Sequence, residues 1–225
     1  MSGKDKISAS IESRALRLKS PKEIADIVGD SFILAGGALS SDAEPKDFDI
    51  FCLSKINIQQ ILDRLWGCPG WEPILATRNA VTALHHGQTV QFCSFCKSTV
   101  EDLIWGFDFT HCQAAAVFAR DGSIIKTAYT PMFKAFTSSG ETKYTRSEYP
   151  LSSLMRCAKF ISRGVIAKPG QWKPILLDIL MDIVDRGFKD VDDFRDQCAS
   201  VSESFESMDH VADGLFILLY KGNGK

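Results

Sequence analysis

The chain contains no run of about 18 uninterrupted apolar residues, so no segment of it reads as a membrane-spanning helix. Its formal charge is only −2 over 225 residues. That removes bulk attraction to nucleic acid or an anionic membrane, and any contact with a polyanion would have to use a local patch. The opening residues, Met1-Ser2-Gly3-Lys4-Asp5-Lys6, lack the apolar core of a signal peptide. Seven cysteines, an odd number without framework spacing, suit reduced thiols. These absences lead to the expectation of a cytoplasmic protein that contacts no membrane. Internal repeats and low-complexity tracts are missing too. Trp66, Trp71, Trp105 and Trp172 are scattered without basic interleaving, which argues against a base-stacking platform.

What remains is 45% apolar and 24% charged, the composition of a globular domain with room for a smaller subdomain. The first fifteen or so residues are polar and read as a frayed or loose helix. Ser20-Pro21-Lys22-Glu23 reads as a helix start, with Ser20 as cap and Glu23 reaching back. Strands are expected over 31–35 and 48–53, a helix over 56–66, and strands near 72–77, 79–84 and 88–95. A short helix at 99–104 precedes strands at 112–118 and 123–126, joined by Asp121-Gly122 as a tight hairpin. Beyond residue 130 helical patterns take over, at 150–163, 173–187, 190–199 and 203–220. Thr137-Ser138-Ser139-Gly140-Glu141 reads as a linker between a sheet-containing part, 1–136, and a helical part, 141–225. The expected class is α+β: a twisted mixed or antiparallel sheet with helices on one face, then a helical C-terminal subdomain.

The informative stretch is Phe32-Ile33-Leu34-Ala35-Gly36-Gly37-Ala38-Leu39, followed by Lys46-Asp47-Phe48-Asp49-Ile50-Phe51. Side chains alternate along a strand, so Asp47 and Asp49 share one face. Two adjacent carboxylates call for a cation between them, and a hard divalent ion suits oxygen ligands. Paired glycines at a strand mouth let the backbone approach a phosphate closely.

This Gly-Gly, loop, Asp-x-Asp order over residues 31–53 resembles the signature of the DNA polymerase beta-like nucleotidyltransferase superfamily. The resemblance implies a nucleotidyltransferase-like core over 1–136. It also implies transfer of a nucleoside monophosphate from ATP or another NTP to an acceptor hydroxyl, with Mg²⁺ or Mn²⁺ as cofactor and pyrophosphate released. The acceptor could be an RNA or tRNA end, a protein or a small molecule, and the small size suits a toxin–antitoxin or phage-defence role by analogy. Asp47 and Asp49 would hold metal, and Gly36 and Gly37 would line the triphosphate. Many members carry a serine directly after the glycines, where this chain has Ala38; Ser40 and Ser41 lie nearby but out of register.

A third carboxylate completes the site in the superfamily. Gln91, in Thr89-Val90-Gln91-Phe92-Cys93, has the right strand context and the wrong charge. Asp108, in Phe107-Asp108-Phe109-Thr110, is the alternative metal ligand. Arg156, Lys159 and Arg163 share a helix face beside Leu151, Leu154, Met155, Ala158 and Ile161. Arg156 and Lys159 are the preferred phosphate contacts. Cys93-x-x-Cys96 with His111 and Cys112 matches zinc ligands by type only, and His85-His86 reads as an exposed turn flank. The competing reading is an inactive nucleotide-binding or interaction protein on the same fold, which Gln91 and Ala38 favour.

Overall fold

The computed structural model describes residues 5–205 apart from 53, 55, 78, 95, 96, 167 and 168. Two compact units divide the chain, Met1–Lys143 and Tyr144–Lys225. In the first, helices α1 (Lys6–Ala15) and α2 (Pro21–Val28) precede strand β1 (Phe32–Ala35) and β2 (Asp47–Cys52). Helix α3 (Ile58–Trp66) leads to β3 (Trp71–Ala76), β4 (Ala80–His85) and β5 (Gln88–Cys93). Helix α4 (Val100–Trp105), β6 (Ala114–Phe118), β7 (Ile124–Tyr129) and α5 (Pro131–Ser139) complete it. The strands form one mixed sheet in the order β3-β4-β5-β2-β1-β6-β7. Only β2 and β5 run parallel; every other neighbouring pair is antiparallel. The α+β class follows.

Alternation along the strands builds a core on each face. Phe32, Leu34, Phe48, Ile50, Val90 and Phe92 pack with Ile11 of α1, Ile24 and Ile27 of α2, and Ile61 and Leu65 of α3. The opposite face is thinner. Ile33, Ala35, Phe51, Ala115 and Val117 pack with Val100, Leu103 and Ile104 of α4. Helices therefore lie on both faces, not on one as expected. Thr99 caps α4, its Oγ1 accepting from the Asp102 N–H at 3.0 Å, and Lys126 of β7 pairs with Glu101 of α4 at 2.6 Å.

Local chemistry departs from the expectations in several places. Helix α1 does not fray. Asp5 caps it, accepting from the Ile7 and Ser8 N–H groups at 2.9 Å, and Ile11 and Ala15 are fully buried. Ser20 does not cap α2: it sits at φ 53° with its Oγ 3.1 Å from His85 Nε2. Glu23 accepts from Trp71 Nε1 at 3.0 Å instead of reaching back. His85 is buried, not exposed; its ring stacks on Trp71 at 4.1 Å and its Nδ1 lies 2.9 Å from the Gly70 carbonyl. A carbonyl only accepts, so Nδ1 donates to it, and Nε2 also lies 3.3 Å from a Glu23 carboxylate oxygen. The expected Asp121-Gly122 hairpin forms, with Gly122 at φ +86°; a Cβ there would also meet the Lys22 backbone at 2.9 Å. Thr137–Ser139, expected as linker, are the last turn of α5. Thr130 starts that helix by accepting from the Phe133 N–H, Phe133 is fully buried, and Gly140 ends it at φ 69°.

The second unit holds α6 (Pro150–Ser162), α7 (Pro169–Arg186) and α8 (Val191–Phe205). Helix α6 buries Leu151, Met155, Cys157 and Phe160, while Ala158 of the expected apolar stripe is exposed. Asp193 accepts from Arg186 at 2.9 Å and from the Lys189 N–H at 3.0 Å, tying the end of α7 to the start of α8. The expected helix over 203–220 falls, after residue 205, outside the described residues. Among the described residues no helix is long and apolar enough to cross a membrane.

Candidate functional site

Strand β1 ends beside the first half of β2, with Ala35 opposite Asp49. The next residue, Gly36, has φ 87° and ψ −149°, a conformation essentially closed to residues with a Cβ. Its N–H donates to the Ala114 carbonyl at 3.3 Å, and a Cβ built on it would lie 3.4 Å from Asp49 Oδ2. The Asp49 carboxylate thus rests against bare backbone. Gly37–Leu39 follow as one 3-10 turn, and the space beside Gly37 is open for 4 Å.

Asp47 and Asp49 face the α4 side of the sheet and are half-buried. Phe51, two residues on, is covered by the α4 core, which includes neither aspartate. Strand β2 therefore runs from an open end to a closed one. Across the parallel pairing Asp47 lies opposite Thr89 and Asp49 opposite Gln91, and Gln91 in turn faces Thr82 on β4. Gln91 Nε2 donates to Thr82 Oγ1 at 3.4 Å. An amide stands in register with Asp49, as the sequence suggested, and it ties into a neutral row.

Asp108 is buried at 5% exposure, just before the 3-10 turn Thr110–Cys112. That turn packs against Gly37–Leu39 and leads to Ala114, whose carbonyl receives the Gly36 N–H. Asp108 thus belongs to the same end of the sheet as the glycine turn. Among the described residues no three His, Cys, Asp or Glu side chains gather closely enough to hold a metal, so Asp108 does not form a triad with Asp47 and Asp49 here. Two carboxylates still fit a magnesium-like ion, which commonly takes one or two protein carboxylates and completes its shell with substrate phosphates and water. Next to Asp108, burial lowers the His111 pKa to about 4, against a partial upward pull from the Asp108 carboxylate. Its Nδ1 lies 3.0 Å from Thr142 Oγ1, and the ring is neutral at pH 7. Burial, then the Asp49 carboxylate, pushes the Cys93 thiol well up, so it stays protonated beside the aspartate. Cys96 of the zinc pattern lies outside the described residues.

Ser40 donates its hydroxyl to the Gly37 carbonyl at 2.7 Å, bracing the turn. Arg156 and Lys159 lie on α6 in the second unit; Arg156 Nη2 reaches Ser153 Oγ at 3.3 Å, and Lys159 is exposed. Sequence reasoning missed Arg14 and Arg17, whose side chains hold the loop after the glycines. Arg14 lies in the last turn of α1 and Arg17 just past its end.

Solved structures similar to this chain include CCA-adding enzymes. A CCA-adding enzyme in complex with ATP superposes with a TM-score of 0.55 at 13% identity, covering 86% of this chain and 50% of that one. A complex with CTP gives 0.53 at 11% identity, covering 94% and 54%. The Thermotoga maritima CCA-adding enzyme complexed with tRNA gives 0.50 at 12%, covering 93% and 50%. The chain spans about half the length of each, and at these identities the likeness establishes the fold alone, the one these CCA-adding enzymes share. No curated protein matches the chain. The model of the Gabija anti-defense 2 family matches residues 12–131, just over half the sequence, and the chain belongs to that family.

Proposed function

We propose that this protein is a metal-dependent nucleotidyltransferase that moves a nucleoside monophosphate from an NTP to an acceptor hydroxyl. The observation that carries this is the pair Asp47 and Asp49, half-buried on the open end of β2, with the Gly36 backbone bent against Asp49. Both carboxylates would hold Mg²⁺ or Mn²⁺. Such an ion, when bound, lowers the pKa of an attacking hydroxyl and neutralises the leaving pyrophosphate. Gly36 and Gly37 let the backbone approach the triphosphate, and the first N–H groups of a 3-10 turn have no partner within it. Ser40 stiffens that turn; Arg156 and Lys159 are the proposed outer phosphate contacts. In the reaction the acceptor oxygen bonds to the α-phosphorus, the bond to pyrophosphate breaks, and the hydroxyl proton leaves.

The family's description as an anti-defence protein accords with this chemistry, since a nucleotide added to a hydroxyl masks that group. RNA or tRNA ends, a protein and a small molecule are the acceptor classes to try. The test is pyrophosphate release with each NTP, Mg²⁺ or Mn²⁺, and total RNA or lysate protein. Release that disappears in Asp47→Ala and Asp49→Ala supports transfer. Tight NTP binding without release across all acceptors would favour the inactive reading, in which Gln91 marks a lost ligand.

A further inference from the structure

We propose that Arg14 and Arg17 are positioning residues of this site, acting through the loop that joins the glycine turn to Asp47. The inference rests on the nucleotidyltransferase reading above. Arg17 spends its fork on backbone oxygens. Its Nη2 donates to the Ala38 carbonyl at 2.6 Å and to Ser41 at 3.1 Å, its Nη1 to Ala43 at 2.6 Å, and its Nε to Arg14 at 3.1 Å. Arg14 Nη1 donates to the Leu39 carbonyl at 2.9 Å, and its Nε pairs with the Asp42 carboxylate at 2.9 Å.

A guanidinium carries five N–H donors, and the loop and the helix end take four of those of Arg17. Arg17 is therefore built to shape the loop, and is left with little to offer a phosphate. Both side chains are partly buried; that of Arg14 is 14% exposed. Helix α1, which carries Arg14 and ends two residues before Arg17, is itself fixed: Ile11 and Ala15 are in the core and Asp5 caps its start. Residues 38–43 contain no strand and only the end of a 3-10 turn, so few ladder hydrogen bonds define their path. Two arginines supply that definition from outside. A lysine in either place keeps the charge and loses the fork, because one ammonium cannot reach carbonyls spread over residues 38 to 43.

The test uses the full chain with Arg17→Lys and, separately, Arg14→Lys. Amide exchange at residues 37–43 is expected to accelerate about tenfold in Arg17→Lys, while β1 and β2 amides keep their protection. The KM for the magnesium NTP is expected to rise about tenfold with kcat within about threefold, because the loop binds the nucleotide in ground and transition states alike. Unchanged exchange and unchanged KM in both variants would overturn the proposal. So would exchange that accelerates equally through β1, β2 and β6, which marks a general packing role. If the wild-type chain neither binds nor turns over any NTP, the enzymatic reading fails, and with it the positioning role in catalysis. The exchange data then report separately whether the clamp shapes the loop.

Discussion

The two sides of β2 differ in burial and in charge. Toward α1, α2 and α3 the strand presents Phe48, Ile50 and Cys52, none more than 4% exposed. Toward α4 it presents Asp47, Asp49 and Phe51, of which only Phe51 is covered. One six-residue strand thus builds core through its even positions and carries the two proposed metal ligands on its odd ones. The lesson is that one strand can be closed on one side and half-covered on the other. Phe51 is buried beside the six-residue α4, while Asp47, Asp49, Thr89 and Gln91 stay half-buried.

The sharpest way to break this contrast is to change one residue on each side. Asp49→Asn is expected to cut nucleotide transfer by about a thousandfold, near 4 kcal/mol of barrier. Removing one of two neighbouring like charges should leave the melting temperature level or slightly raised. A fall of many degrees would mean that the carboxylate is structural. Phe48→Ala should behave in the reverse sense. It should lose about 3–5 kcal/mol in urea unfolding, as a large buried ring does, with activity per folded molecule retained.

pH probes the end of the sheet that holds the site. Buried His111 titrates at about 4, below its ordinary 6.5, so the unfolded chain takes up the proton first. Its contribution to stability is complete above about pH 6.5 and is lost as pH falls toward 4, by up to about 3 kcal/mol. Melting curves of the wild type and His111→Gln should diverge in slope across that window; parallel curves would remove His111 from the account. The smallest effect concerns the thin side. Lys126→Ala breaks the half-exposed pair with Glu101 and should cost less than about 1 kcal/mol, since α4 is held mainly by Val100, Leu103 and Ile104.

Much of this was legible in the chain. Period-two alternation and Gly-Gly followed by Asp-x-Asp gave the strands, the shared face of the aspartates and the glycine turn, because those are local properties. Four things were not. Helix α1 looks too polar to dock, yet Ile11 and Ala15 suffice once Asp5 caps it. His85 beside Gly87 looks like an exposed flank, yet its ring is enclosed because Trp71 and Ser20 arrive from distant segments. The α4 side was unreadable for the same reason: a short apolar helix fits either face until the sheet order decides. Arg14 and Arg17 were missed because all their acceptors but Asp42 are backbone carbonyls, which leave no mark in a sequence.

The measurement that most directly tests the central claim follows the fate of the label from two forms of the same NTP. With α-labelled NTP and Mg²⁺ or Mn²⁺, the label should become covalently attached to an acceptor, while γ-label is released as pyrophosphate, and neither should occur with Asp49→Asn. Label transferred from the γ-position, or α-label transfer that survives Asp49→Asn, would contradict a nucleotidyl-transfer site on the open end of β2.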